Sequence, residues 1–272
     1  MKNKKKWLAA PFMVWSVAFI VIPLCMIFYY GFTDKTGAFT LENILAIATA
    51  ERAKALWLSL ILSAIATVIC LGLGYPLAAI LAKMGKSQHS LIVLIFILPM
   101  WMNFLLRTLA WQTLLEKNGV INNILSFLHL PTLDIINTPC AIVLGMVYNF
   151  LPFMVVPLYN SLTKIDKNII NAARDLGANG VQTFFKVTLP LTVPGIISGI
   201  TMVFVPALTT FVISTILGGS KILLIGNVIE QQFTYTGNWH LGSGLSIVLM
   251  LFIIVNMIIT NIFDKDGEGA IL

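Results

Sequence analysis

Six stretches of this chain are so long and so apolar that only a lipid bilayer can bury them. They run over residues 7–32, 56–82, 91–115, 141–162, 191–217 and 245–263. Each is close to the roughly 20 residues that a helix needs to cross about 30 Å of hydrocarbon. Charged residues make up 10% of the chain and hydrophobic ones 58%, against about 25% charged in an average soluble domain. Lipid offers no partner to a backbone N–H or C=O, and the alternation of barrel strands is missing, so the runs predict helices. The expected fold class is all-α: a polytopic membrane protein in which residues 1–272 form a single transmembrane domain of six helices.

Lys2, Lys4, Lys5 and Lys6 precede the first run as in a secretory leader, but a leader's apolar core is only about 7 to 15 residues long. This run continues through Phe28, Tyr29 and Tyr30, which predicts an uncleaved anchor. Placing the N-terminus inside puts eleven of the seventeen Lys and Arg residues on the cytoplasmic side and leaves Lys35, Arg52, Lys54, Arg107, Lys117 and Lys221 outside, as the positive-inside bias requires. Six spans then return the C-terminus to the cytoplasm. The net charge of +6 is accounted for by this topology, so the partner it indicates is the bilayer and no nucleic acid is expected.

Cys25, Cys70 and Cys140 lie in or beside spans without a paired spacing, and they read as small packing residues with no disulfide framework or metal site. His89, His129 and His240 fall at scattered loop positions and read as solvated or interfacial. Gly85-Lys86-Ser87 imitates the end of a phosphate loop, but position 80, where that motif needs glycine, is Ile80. No nucleophile elbow, zinc-protease motif or carboxylate pair is present. An enzyme is not expected.

Polarity inside the spans is costly and therefore informative. In the third, Pro99, Asn103, Arg107 and Trp111 recur at i, i+4, with Thr108 and Gln112 alongside. Arg107 must reach the outer interface, where Glu116 and Lys117 lie, or a partner carboxylate, or a water-filled cavity. The fourth span adds Gly145, Tyr148, Asn149, Pro152 and Pro157, and the fifth adds Pro194, Gly195, Ser198, Gly199, Pro206, Thr209, Thr210 and Ser214. Small residues allow close helix approach, and the prolines free carbonyls that need partners or water. Spans three to five are the expected path.

Between spans four and five, a cytoplasmic loop over residues 163–190 carries Asn171-Ala172-Ala173-Arg174-Asp175-Leu176-Gly177, then nine residues, then Val187-Thr188-Leu189-Pro190. The alanines suit a short helix that enters a groove, and Gly177 allows the positive φ that ends it. A second short helix over 181–187 offers Phe184 and Phe185, and Pro190 starts the next span. The segment resembles the EAA loop of ABC-transporter permeases, the surface that docks into the ATPase. Ala172, Ala173, Gly177, Leu189 and Pro190 match, Val187 replaces isoleucine, and Asn171 stands where the leading glutamate would be. The resemblance implies docking by shape, with Asp175 inside the coupling surface and without the glutamate's ion pair.

Further likeness lies in Pro99-x-Trp101-x-Asn103 leading to Arg107, in Leu151-Pro152-Phe153-Met154-Val155-Val156-Pro157-Leu158-Tyr159, and in Gly218-Gly219 followed by Ile225-Gly226-Asn227-Val228-Ile229 and Gln232-Phe233. These runs resemble the spermidine/putrescine (PotB-type) family of ABC permeases. That resemblance implies a type I importer-like bundle in the bacterial cytoplasmic (inner) membrane, forming half of a polyamine path. It implies as partners an ABC ATPase dimer, a second related permease and an extracytoplasmic substrate-binding protein. No cofactor is implied on this chain, since ATP and Mg belong to the ATPase. Path candidates are Trp101, Asn103, Arg107, Trp111, Glu116, Tyr148 and Glu230, with rings for cation–π contact and carboxylates for ammonium groups. Arg107 by itself favours an anion, so a permease for another small solute such as an oxyanion is the alternative. A secondary transporter working without an ATPase is the other, although no inverted repeat or intramembrane acid speaks for it.

Overall fold

The computed structural model describes residues 11–84, 98–219 and 221–269. Residues 7–10 of the first expected span, 91–97 of the third, and the Gly85-Lys86-Ser87 and His89 readings lie outside them. The described helices are α1 (Pro11–Gly31), α2 (Ala50–Lys83), α3 (Phe104–Leu115), α4 (Val120–Phe127), α5 (Pro139–Lys164), α6 (Lys167–Asp175), α7 (Gly180–Leu191), α8 (Val193–Thr209), α9 (Val212–Leu217), α10 (Ile225–Thr234) and α11 (Trp239–Gly269), with shorter turns between. No strand occurs among the described residues, and the pairing of Thr33 with Phe39 is an isolated bridge. Four helices are long and apolar enough to cross a membrane, α1, α2, α5 and α11, and the bent pair α7 and α8 makes a fifth candidate.

The chain divides into two compact units. One comprises Met1–Ala55 with Val228–Phe252. In it, α1 presents almost only exposed apolar side chains, the composition of a surface that lipid covers. Gly31 lies against Ile247 and Gly244, so the end of α1 meets α11 closely. His240 belongs to α11 and not to a loop: its Nδ1 lies 2.7 Å from Thr33 O and 3.1 Å from Tyr30 O, a geometry in which Nδ1 carries the proton. In the turn after α1, the Thr36 hydroxyl and the Thr36 and Ala38 N–H groups donate to Asp34. These bonds, the hydroxyl's first, hold the Asp34 carboxyl below its ordinary pKa.

The other unit comprises Leu56–Asn227 with Ile253–Leu272 and contains the apolar core. Ala66, Cys70, Gly74 and Ala78 follow one another at i, i+4 down the buried face of α2, a small-residue stripe that lets α5 approach. A methyl at Gly74 would lie 3.0 Å from Met154 Cγ. Cys70 is one of three free thiols, and its Sγ lies 3.8 Å from Val147 O. α8 lies along α5 through Gly195 and Gly199, which meet Pro157, Ser161 and Met154.

Three helix boundaries differ from the sequence expectation. The strip from Pro99 to Trp111 is not one helix. Leu98–Trp101 is a single 3₁₀ turn, Asn103 is extended (φ −56°, ψ 128°), and its side chain accepts from the N–H groups of Leu105 and Leu106 as the N-cap of α3. A capping amide satisfies donors that continuous helix would leave to the previous turn, so only Arg107 and Trp111 share a helical face. Second, Pro190 does not open the fifth span. α7 continues through it to Leu191, and the chain bends by 63° before α8, where Pro194 sits in the first turn. A π turn at Phe184–Thr188 ahead of Pro190 accommodates the missing N–H, and Val17–Val21 does the same ahead of Pro23. Third, the run 191–217 is interrupted: α8 ends at Thr209, Thr210 is extended, and α9 starts at Val212.

Candidate functional site

The segment after α5 is built from two capped helices. Asp166 caps α6 by accepting from Asn168 N–H. At the other end, Gly177 N–H donates to Arg174 O (2.8 Å) and Ala178 N–H to Ala173 O (3.0 Å), with Gly177 at φ 90°. This is the left-handed glycine stop that uses the last helical carbonyls. Asn179 and Gln182 form a reciprocal capping box for α7.

Asn171, Ala172, Asp175 and Gly177 are exposed and Ala173 half-buried. Leu176 is 90% exposed, and Val181 and Phe185 also project from the segment. Val187 and Leu189 are half-buried, and Pro190 is exposed. Those three residues therefore lie at the root of the segment, while the first helix and its glycine turn form the free tip.

Two residues that sequence reasoning missed hold that root. Thr192, buried at the bend, shares a hydrogen bond of 2.9 Å with the Tyr75 hydroxyl of α2. The Tyr75 ring meets Phe184 edge-on with centroids 5.6 Å apart. The signal was available as a lone tyrosine beside Pro76 in an apolar run, but its partner lies 117 positions away.

The membrane candidates separate into groups. Trp111 and Tyr148 come together in a T-shaped contact at 5.3 Å on the wall of a cavity of about 670 Å³. Leu62, Ile65, Val147 and Leu151 complete much of that wall, which is almost wholly apolar. Arg107 is only 8% exposed, and its Nε and Nη1 have no hydrogen-bond partner. On the neighbouring α5, buried Asn149 donates to Gly145 O at 2.9 Å, while its Oδ1 is unpartnered. Among the described residues the one ion pair is Lys117 with Asp134, exposed and 4.0 Å apart, so the structure does not give Arg107 a carboxylate.

Trp101 is 75% exposed and apart from this cavity, and Asn103 is committed to its capping bonds. Glu116 is exposed at the C-cap of α3, where its carbonyl accepts from Asn122 Nδ2 at 3.0 Å. Glu230 is half-buried on α10, in the unit that contains Val228–Phe252.

The helical architecture and the capped segment frame what known proteins add. The family described as binding-protein-dependent transport system inner membrane component matches residues 74–266. The chain belongs to this family. The permease is 39% identical over 267 residues to the spermidine/putrescine transport system permease protein PotB of Haemophilus influenzae, covering 93% of each chain. Against the protein of the same name from Escherichia coli K12 it is 40% identical over 245 residues, covering 87% of this chain and 89% of that one. In fold it is similar to a chain of a bacterial alginate ABC transporter crystallised with an alginate pentasaccharide-bound periplasmic protein. The TM-score there is 0.80 at 16% identity, covering 97% and 96% of the two chains. This permease is thus an inner-membrane component of an ABC importer.

Proposed function

We propose that the chain forms half of a translocation path for polyamines, spermidine and putrescine, and is driven by a separate ATPase dimer that docks on residues 163–190. The observation that carries the reading is the 39–40% identity to PotB permeases along nearly the whole chain. The exposed Ala172-Ala173 helix, its Gly177 stop and the apolar knobs Leu176, Val181 and Phe185 support docking by shape. Asn171 and Asp175 flank that surface, and Val187, Leu189 and Pro190 form its root. A second related permease completes the path, and an extracytoplasmic binding protein delivers the solute. Both termini face the cytoplasm, and the single transmembrane domain holds all six spans. ATP and Mg act on the partner, and this chain changes conformation without bond chemistry.

Trp111 and Tyr148 supply ring faces for an ammonium group, each contact being worth about 0.5–2 kcal/mol. Arg107, one helical turn from Trp111, opposes long residence of a cation there, and a path works only when a bound ion can leave again. Trp101, Asn103, Glu116 and Glu230 belong to the proposed path as entry or lining residues. Arg107→Lys is expected to keep most of the uptake rate and Arg107→Leu to lose roughly ten-fold. The same leucine should raise the melting temperature of the purified permease, because it removes two buried guanidinium nitrogens that have no hydrogen-bond partner. Equal uptake by the two variants would remove Arg107 from the path.

The function is tested by reconstituting the complete complex in vesicles and measuring ATP-dependent uptake of labelled spermidine and putrescine, with oxyanions as controls. Saturable polyamine uptake competed by unlabelled polyamine is the expected result. Oxyanion uptake in its place would transfer the reading to another small solute, and uptake without the ATPase would favour a secondary transporter.

A further inference from the structure

The Ile225-Gly226-Asn227 run has no part in docking or in the Trp111–Tyr148 cavity, yet it closes over the interruption between α8 and α9. Asn227, 4% exposed, uses the full capacity of its amide. Its Nδ2 donates to Phe211 O (3.0 Å) and Thr215 Oγ1 (2.8 Å), while its Oδ1 accepts from Leu224 N–H (3.1 Å) and the Ser214 hydroxyl (2.5 Å). Two donors and two acceptor positions on one short planar group are specific to asparagine: aspartate lacks the donors and leucine lacks both.

Next to it, a Cβ on Gly226 would lie 2.7 Å from Thr209 O and 2.8 Å from Thr210 O. Only a bare backbone fits against these carbonyls. Ile225 N–H donates to Ser59 Oγ of α2 at 2.8 Å. Through these bonds α9 and the Leu224–Asn227 segment form one block pinned to α2. The extended residue Thr210 and then Phe211 join that block to α8.

The other end of α8 is the Thr192 bend, where the docking segment begins. α8 therefore acts as a strut of 17 residues, about 25 Å long at 1.5 Å per residue, between the proposed ATPase surface and the interruption. A strut of this kind transmits displacement to its weakest joint. Non-helical backbone at membrane depth is tolerated where protein buries it or where it borders a water-filled path.

We propose that Asn227 is a positioning residue for transport: it keeps α9 and the Leu224–Asn227 segment rigid on α2, so that motion of α8 is concentrated at Thr210–Phe211 and changes the path there. This rests on the permease reading above. Asn227 touches no solute in this scheme, so its loss should uncouple hydrolysis from transport without changing recognition.

The test measures spermidine uptake and ATP hydrolysis in the same vesicles, with the complete complex containing wild type, Asn227→Ala or Thr215→Val. For Asn227→Ala we expect uptake per ATP to fall by about ten-fold, with the half-saturating spermidine concentration unchanged. Thr215→Val, which removes the hydroxyl that accepts from Asn227 Nδ2 and donates to Phe211 O while leaving the other bonds of Asn227 in place, should lower the ratio by roughly two- to three-fold. Proportional loss of uptake and hydrolysis, the mark of a merely structural role, overturns the inference, as does an unchanged ratio. Should Asn227→Ala fail to assemble, Thr215→Val decides in the same way. Wild-type complex that takes up neither polyamine refutes the polyamine reading and, with it, this inference as stated for polyamine transport. Normal wild-type uptake with an unchanged variant ratio refutes this inference alone.

Discussion

Replacing Gly177 with valine is expected to lower ATP-driven uptake about ten-fold or more while the membrane helices stay folded. At φ 90° a side chain is strained whatever space surrounds it, and a β-branched residue there costs roughly 1–3 kcal/mol. Nothing lies within 4 Å of the added Cβ, so no packing changes and the whole penalty falls on the turn. The chain can escape it by giving up the bonds to Arg174 O and Ala173 O, which unwinds the end of α6 and displaces Leu176. Since each 1.4 kcal/mol is about ten-fold in population, the docking-competent form should fall by an order of magnitude or more. Uptake should fall with it, whereas the melting temperature of the purified permease should not move. Gly177→Ala should lie between the two. Normal uptake by the valine variant would refute docking through this turn.

Gly195→Val should have the opposite profile and prevent the permease from folding stably. Gly195 and Gly199 form a small-xxx-small pair on α8. A Cβ at position 195 would lie 2.5 Å from Ser161 Cβ and 2.9 Å from Pro157 O. The carbonyl is backbone and cannot turn aside, so α5 and α8 must separate. Overpacking of this kind costs about 1–3 kcal/mol or more, and separating the helices also loses contacts along their length. A fall in melting temperature of roughly 5–10 °C, or loss of the monodisperse species in detergent, is the expected reading. Gly72→Val is the control, because nothing lies within 4 Å of its Cβ. If the two variants melt alike, the close approach of α5 and α8 does not hold the core together.

What could be read without coordinates follows from what is local. The apolar runs and the Gly177 stop are short-range signals, one set by bilayer thickness and the other by a φ that glycine reaches most easily. The all-α membrane class needed no more than that. Asn103 was misread because i, i+4 recurrence looks the same whether a residue continues a helix or caps the next one, and only the backbone separates the two cases. The fifth run hides its interruption at Thr210 for a related reason: hydropathy counts residues and does not record where hydrogen bonds stop. Arg107 could be flagged as costly from the sequence, but its lack of a carboxylate among the described residues is a fact of packing. Tyr75 with Thr192, and Ser59 with Ile225, are contacts between distant segments that no local pattern encodes.

The π turn before Pro190 makes the docking segment a matter of phase. One residue more or less in a helical turn rotates everything beyond it by about 100°. With Phe184–Thr188 wound as it is, Phe184 meets Tyr75, Phe185 points outward and Thr192, at the bend after α7, meets the Tyr75 hydroxyl. Losing one residue from this stretch would leave its composition almost unchanged yet swing the Phe184 face and Thr192 out of step with each other. The membrane strut and the docking tip are kept in register by a count of residues, so this short stretch should tolerate exchanges of side chain far better than changes of length.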